Sequence, residues 1–167
     1  FTSGADTLNF STAATERMKI DSAGRVTMPY QPAFLARPAS HQSNIATNIY
    51  VGVIFGTEVF DRNSDFASNT FTAPVGGAYQ LNVSIELNSG DSSCPYIFLN
   101  LATSNRTYRS IIDPSSFDKL IDYFTFTISA LADMDAGDTA SVTYYQGAGS
   151  AQGDITPESF FSGYLAC

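Results

Sequence analysis

Residues able to do chemistry are few in this chain, and they are scattered. The one histidine, His41, lies in a Ser/Asn/Gln-rich stretch with no Ser or Cys nucleophile motif beside it, so acyl transfer has nothing to activate. Asp61-Arg62-Asn63-Ser64-Asp65 opens like a calcium loop, yet Phe66 stands where the turn glycine is needed and Thr72 where the closing Glu belongs, which rules out an EF-hand. Asp133, Asp135 and Asp138 also sit close together. Asp61, Asp65, Asp133 and Asp135 are therefore the calcium candidates, although solvated turn carboxylates are the ordinary outcome and the expectation is that no metal binds. A glycosidase-type pair would need two of the 16 acids to converge in space, and no pair is favoured. Cys94 and Cys167 lack C-x-x-C spacing and read as buried or idle thiols. Neither an enzyme nor a cofactor is expected. The sequons at Asn9, Asn82 and Asn105 read as chance matches, Asn82 falling in mid-strand.

The composition of the whole chain agrees with a binding or structural role. With 8 basic and 16 acidic residues the net charge is −8, which repels nucleic acid and anionic membrane at long range. No run approaches the ~18 apolar residues of a membrane span. The 167 residues, 44% of them hydrophobic, suffice for one domain with a short extension. Apolar content rests on 13 Phe and 9 Tyr, with only 14% charged residues, a balance that favours strands. A chain that opens on Phe1 reads as a piece of something longer.

Residues 1–30 read as strand, turn, strand. Leu8 and Phe10, then Met18 and Ile20, alternate with polar residues, and Ser22-Ala23-Gly24-Arg25 makes a turn before Val26 and Met28. Pro29 and Pro32 stiffen a joint near Tyr30. Residues 31–167 carry short alternating runs separated by turns, about eight core strands in all. In 79–87 every odd position is apolar and every even one polar. Further strands are expected at 34–36, 50–60, 106–112, 123–130, 139–146 and 160–167. The run 95–103 is apolar on both faces, as in a strand covered on both sides, and 115–122 could form a helical turn too short to stand alone.

The order of these strands carries a familiar pattern: Pro32-Ala33-Phe34-Leu35-Ala36; Val53-Ile54-Phe55 with Glu58 and Phe60-Asp61; Phe71-Thr72-Ala73-Pro74 leading to Gly77-Ala78-Tyr79; Leu131 with Gly137-Asp138; and Phe160-Phe161-Ser162-Gly163-Tyr164-Leu165. From Pro32 to Leu165 it resembles the globular heads of the complement C1q and tumour necrosis factor family. The collagen repeat familiar before such heads is absent, and the 147–157 loop is long. Residues 16–26 resemble the strand-turn-strand unit of bacteriophage tail fibres and spikes. These resemblances imply an all-β fold, an antiparallel two-sheet jelly-roll sandwich behind a short N-terminal β shaft segment. They also imply a homotrimer with aromatic and aliphatic side chains facing its axis. Phe34, Phe55, Phe71, Tyr79 and Phe161 are expected to fill the sandwich, Gly77 and Gly163 to permit close approach or a turn, and Gly137-Asp138 to sit in a turn.

If strands alternate in direction from a base at the shaft, the loops 37–48, 88–94, 113–122 and 147–159 share the far end. His41, Gln42, Asn44, Asp91, Ser92, Asp118, Lys119, Gln152, Asp154 and Glu158 are then the binding candidates. Cys94 falls at the top and Cys167 at the bottom, too far apart for a disulfide. The expected function is a phage fibre or spike, a virion appendage whose head caps the fibre and binds a host surface glycan or protein, with other virion proteins on the N-terminal side and no membrane insertion. Alternatives are a purely structural trimerisation cap or decoration protein, and a secreted C1q-like recognition protein.

Overall fold

A computed structural model describes residues 2–4, 6–117, 121–149 and 152–167. The chain divides into two compact units, Phe1–Gln31 and Pro32–Cys167.

The first unit is an antiparallel meander of β1 (Thr2–Gly4), β2 (Thr7–Thr12), β3 (Thr15–Ile20) and β4 (Val26–Thr27). Asp21 builds the β3–β4 turn: one carboxylate oxygen accepts the Ala23 and Arg25 amides, the other the Arg25 guanidinium at 2.7 Å, and Gly24 takes φ +79°. Those same Arg25 contacts hold the Asp21 carboxyl below its ordinary range. Among the described residues the sheet has no second layer of its own to cover either face, and Phe10, Val26, Met28 and Tyr30 are exposed in a single copy.

The second unit contains β5 (Ala33–Arg37), β6 (Tyr50–Gly52), β7 (Thr57–Asp61), β8 (Phe66–Ala67), β9 (Thr70–Thr72), β10 (Gly77–Gly90), β11 (Tyr96–Thr103), β12 (Thr107–Ile112), β13 (Ile121–Met134), β14 (Thr139–Gly147), β15 (Asp154–Ile155) and β16 (Phe160–Leu165). They form two antiparallel sheets. Sheet I has the order β13-β10-β16-β5-β7, with β15 on β10; sheet II has the order β12-β11-β14-β9-β8, with β6 on β14. Alternation along β10 sends Tyr79, Leu81, Val83, Ile85 and Leu87 inward, and β11 and β14 return Ile97, Leu99, Leu101, Val142 and Tyr144 from the other side. Each such side chain contributes about 1.5–3 kcal/mol by leaving water. Phe34 lies at the centre of the base, stacked on Phe71 at 4.8 Å and Phe66 at 5.0 Å and met edge-on by Phe161 at 4.9 Å. Phe55 and Tyr79 extend the same cluster.

Three expectations from the sequence are corrected. Residues 50–60 are two strands in opposite sheets, β6 and β7. At 53–56 the chain crosses between layers, with Val53 and Phe55 buried and the amides of Val53, Ile54 and Phe55 taken by Val142 O, Gln42 Oε1 and Asn69 Oδ1. The hairpin β8–β9 was hidden because its strands are so short. Strand β11 has no layer over its outer side among the described residues: Tyr96 and Phe98 are covered there by each other and by Tyr145. The helical turn expected at 115–122 is a 3-10 turn over Pro114–Ser116, capped by the Asp113 carboxylate, which accepts the Ser115 amide at 3.0 Å, and residues 121–122 already belong to β13.

Glycines that the resemblance singled out sit where neighbours crowd the backbone. Phe34 and Leu81 are the cross-strand partners of Gly163, and a Cβ there would lie 2.6 Å from Leu81 Cδ2 and 2.9 Å from Phe34 Cε1. At Gly77 a Cβ would meet the Cys167 carbonyl oxygen at 2.6 Å. Gly137, at φ +92°, turns the β13–β14 connection, where its amide donates to Ala73 O and Asp138 O accepts the Ala73 amide.

Candidate apical recognition surface

Strands β5 and β10 run in one direction on either side of the antiparallel β16, so the connections that follow them leave from the same end of sheet I. In sheet II, Ile97 pairs with both Ile112 and Gln146, which places the exits of β12 and β14 at that end as well. The four loops therefore gather on one apex through backbone register alone, and hydrogen bonds then tie two of them together. Asp154 Oδ1 accepts the Asn44 amide at 2.7 Å across 110 residues of sequence; Asn48 Oδ1 accepts the Ala148 amide at 2.9 Å; the Ile45 amide donates to Gly153 O at 3.1 Å and the Asn48 amide to Gln146 O at 2.8 Å.

Beneath these loops lies a buried polar group. Tyr144 and Gln146 are both fully buried; the Tyr144 hydroxyl donates to Gln146 Oε1 at 3.1 Å, and the Gln146 amide nitrogen donates to Ala148 O at 3.3 Å. Burial pushes the Tyr144 phenol far above its ordinary pKa, so it remains a donor at every physiological pH. Ala148 occupies the left-handed region at φ 60°, as do Asn44 and Asn48, and the bonds just described hold these residues there. Gln146 had a local signal. It falls at inward parity in a strand whose other inward residues, Ala140, Val142 and Tyr144, are largely apolar, and a polar side chain there must find buried partners.

Among the binding candidates, Asn44, Ser92, Gln152 and Asp154 lie on the apex, with Asn44 and Gln152 exposed and Ser92 and Asp154 half-buried. Asp91 is turned inward at 5% exposure, accepting the Ser93 amide at 2.8 Å and the Ser93 hydroxyl at 2.7 Å. His41 is exposed, in a shallow depression lower on the edge with Ala39, Ile54 and Gly56. Gln42 beside it is engaged at both ends of its side chain, donating to Gly52 O at 2.9 Å and accepting from the Ile54 amide at 3.0 Å. Glu158 sits apart from the apex, in the wall of an apolar groove of about 380 Å³ on the outward face of sheet I, with Leu35, Val59, Pro157 and Phe160. Asp118 and Lys119 lie outside the described residues.

Two of the calcium candidates, Asp61 and Asp65, have partners within the fold, as does Asp138 beside Asp133 and Asp135. Asp61 accepts the Asp65 and Phe66 amides at 3.1 and 2.8 Å, and Asp138 accepts from Asn105 Nδ2 and the Asp135 amide. Burial first, then the nearby Asp61 charge, raise the Asp65 carboxyl against the pull of Asn63. Among the described residues, no three of His, Cys, Asp or Glu converge on one point. Also among them, no helix is long and apolar enough to cross a membrane.

Comparison with known proteins returns the same architecture. The globular domain of zebrafish complement 1qA protein is similar over 82% of this chain and 98% of its own, at 19% identity and TM-score 0.61. Murine APRIL is similar over 81% of this chain and 98% of its own, at 14% identity and TM-score 0.59. No curated protein sequence matches the chain. Residues 33–166 match the C1q domain, and the chain belongs to that family.

Proposed function

We propose that this chain is the C1q-like head and adjoining shaft segment of a homotrimeric extracellular appendage, of the kind bacteriophages carry as fibres or spikes, whose apex meets a host surface glycan or protein. The outward face of sheet I carries the reading. Leu131, Tyr164, Phe160 and Phe60 project there, exposed in a single copy, and Phe160 walls the apolar groove together with Leu35 and Val59. Exposed apolar side chains grouped in this way mark an association surface, and around a threefold axis each copy sets this face against the next copy in a heterologous contact that closes the ring. The exposed apolar residues of the N-terminal meander, Val26, Met28 and Tyr30, ask for the same association, which favours an appendage over a freely secreted head.

Sedimentation of the full chain at micromolar concentration tests the assembly: a trimer is expected, with Leu131→Arg/Tyr164→Arg falling to monomer. A monomeric wild type would overturn it. Attachment is a separate question. Asp154→Ala frees the Asn44 loop and is expected to weaken binding to host cells at least tenfold while the trimer survives; unchanged attachment would make the head a structural cap.

A further inference from the structure

Away from the apical loops, the outer face of sheet II carries a second and more fully built surface. Outward parity places Tyr96, Phe98 and Asn100 on β11, Thr143 and Tyr145 on β14, Tyr50 on β6 and Arg109 on β12. The register aligns Phe98, Tyr145 and Tyr50 in one cross-strand row, and Arg109, Asn100, Thr143 and Gly52 in the next. Tyr96 stacks on Phe98 at 4.9 Å, Phe98 on Tyr145 at 5.7 Å, and Tyr145 packs against Tyr50 at 4.7 Å. Two glycines make room. A Cβ at Gly147 would run into the Tyr96 ring, while at Gly52 nothing lies within 4 Å, so the floor beside Tyr50 is open.

The arginine is the telling residue. The Arg109 guanidinium lies 4.3 Å over the Phe98 ring, donates through Nε to Asn100 Oδ1 at 2.8 Å and through Nη2 to the Tyr50 hydroxyl at 3.3 Å. Asn100 is itself 4% exposed and braced by donating to Thr143 Oγ1 at 3.2 Å. The guanidinium is therefore fixed by neutral groups. Among the described residues it has no carboxylate within ion-pair distance, in a chain of net charge −8. Most of its N–H groups stay free for a ligand, and because Tyr50 accepts from Arg109, its own proton is free to donate. The Tyr145 phenol, raised by partial burial and then by the nearby Tyr96 phenol and its hydrogen bond with it, stays protonated and holds Tyr96 beside the stack.

We propose that this surface binds a carboxylate-bearing sugar, with Arg109 taking the carboxylate and the phenols of Tyr50, Tyr96 and Tyr145 taking ring hydroxyls against the aromatic stack. A planar guanidinium matches a carboxylate in bidentate geometry. Rings with polar tips match a pyranose, which presents C–H bonds and hydroxyls together. A single acidic sugar is favoured over a polyanion because the net negative charge is screened beyond about 8 Å at physiological salt, while a longer anionic chain would meet it along its length. The inference does not rest on the trimer or the apical loops, since it uses neither the sheet I face nor Asp154.

Saturation-transfer NMR on the full chain with D-glucuronate, D-glucose and acetate tests it. Glucuronate is expected to receive at least fivefold more saturation than either control, and Arg109→Gln to reduce it to the glucose level with thermal unfolding unchanged. Should Arg109→Gln fail to fold, Tyr50→Phe keeps the ring and removes the hydroxyl, and a threefold or greater loss is expected. Asp154→Ala should leave the glucuronate signal intact, which separates this site from the apex. Equal signals for glucuronate and glucose, acetate matching glucuronate, a signal that survives loss of the guanidinium, or one that Asp154→Ala abolishes would each overturn the assignment.

Discussion

Gly163→Ala and Gly52→Ala make the same chemical change in two strands, and the structure gives them opposite signs. Replacing glycine by alanine removes unfolded-chain entropy and by itself stabilises by about 0.4–1 kcal/mol where the backbone allows it. At Gly52 nothing lies within 4 Å of the new methyl group, so the entropic gain stands alone. At Gly163 the methyl group would come within 2.6 Å of Leu81 Cδ2, 2.9 Å of Phe34 Cε1 and 3.2 Å of Gln80 O. Leu81 is fully buried, and the Phe34 ring is clamped by Phe71, Phe66 and Phe161, so neither can swing away without disturbing the centre of the core. Overpacking of this kind costs about 1–3 kcal/mol, which offsets the gain and leaves a net loss of up to about 2.6 kcal/mol, centred near about 1.3 kcal/mol.

For a chain of this size each kcal/mol moves the melting temperature by about 2–4 °C. Gly163→Ala is therefore expected to melt about 3–5 °C below the wild type, and at most about 10 °C below it, and Gly52→Ala at or slightly above it. Thermal unfolding at one fixed protein concentration provides the comparison, because association makes stability concentration-dependent. A Gly163→Ala midpoint equal to or above that of the wild type, or both variants moving the same way, would refute the packing argument.

Two further outcomes follow from single side chains. Cys94 is buried, its thiol donating to Tyr96 O at 3.0 Å and Gly147 O at 3.2 Å, and burial raises its pKa, whereas Cys167 is exposed; iodoacetamide at pH 8 should modify Cys167 alone in the native chain and both thiols after denaturation, as read by intact mass, and native labelling of Cys94 would contradict its burial. Hydrogen bonds from the Ser115 hydroxyl, then Ser116 and the Ser115 amide, outweigh desolvation and hold the Asp113 carboxyl below its ordinary range. Its contribution is thus present above the unfolded value near about 3.9 and lost as pH falls through the lower folded value. The gap in urea midpoint between wild type and Asp113→Ala should be smaller at pH 2 than at pH 6, and a gap independent of pH would assign the cap to something other than the carboxylate.

How far the sequence can be read depends on whether a feature is carried by neighbours along the chain or across it. Alternation at 79–87 marks the inward face of β10 because side-chain direction follows from period 2 with no knowledge of partners. Gly163 could be singled out for close approach, but the atoms approaching it, from Phe34 and Leu81, come from strands far away in sequence. The outer face of β11 shows the limit best. Apolar residues on both sides of 95–103 imply a cover, and local periodicity cannot distinguish a second sheet from a cross-strand aromatic row. The cover proves to be Tyr96 and Phe98 themselves with Tyr145, Tyr50 and Arg109, drawn together by three registers that no short window of sequence contains.

The apex has the same character. Asp154 and Asn44 read separately as solvated loop residues, and only the pairing of β15 with β10 and of Gln42 with Ile155 brings them within hydrogen-bond reach. Position on a shared end was legible because antiparallel strands must alternate. The inward turn of Asp91 was not, since it depends on Ser93 closing a local turn around the carboxylate. Binding residues chosen by loop position alone therefore mix ligand-facing groups with groups already engaged in holding the loops. Partner accounting separates the two: Gln42, Asp91 and Asp154 have acceptors or donors engaged within the fold, whereas Arg109 is fixed in place with most of its donors still directed at solvent. That asymmetry is why the aromatic face of sheet II, rather than the apex, is the place where a ligand's chemistry can be specified.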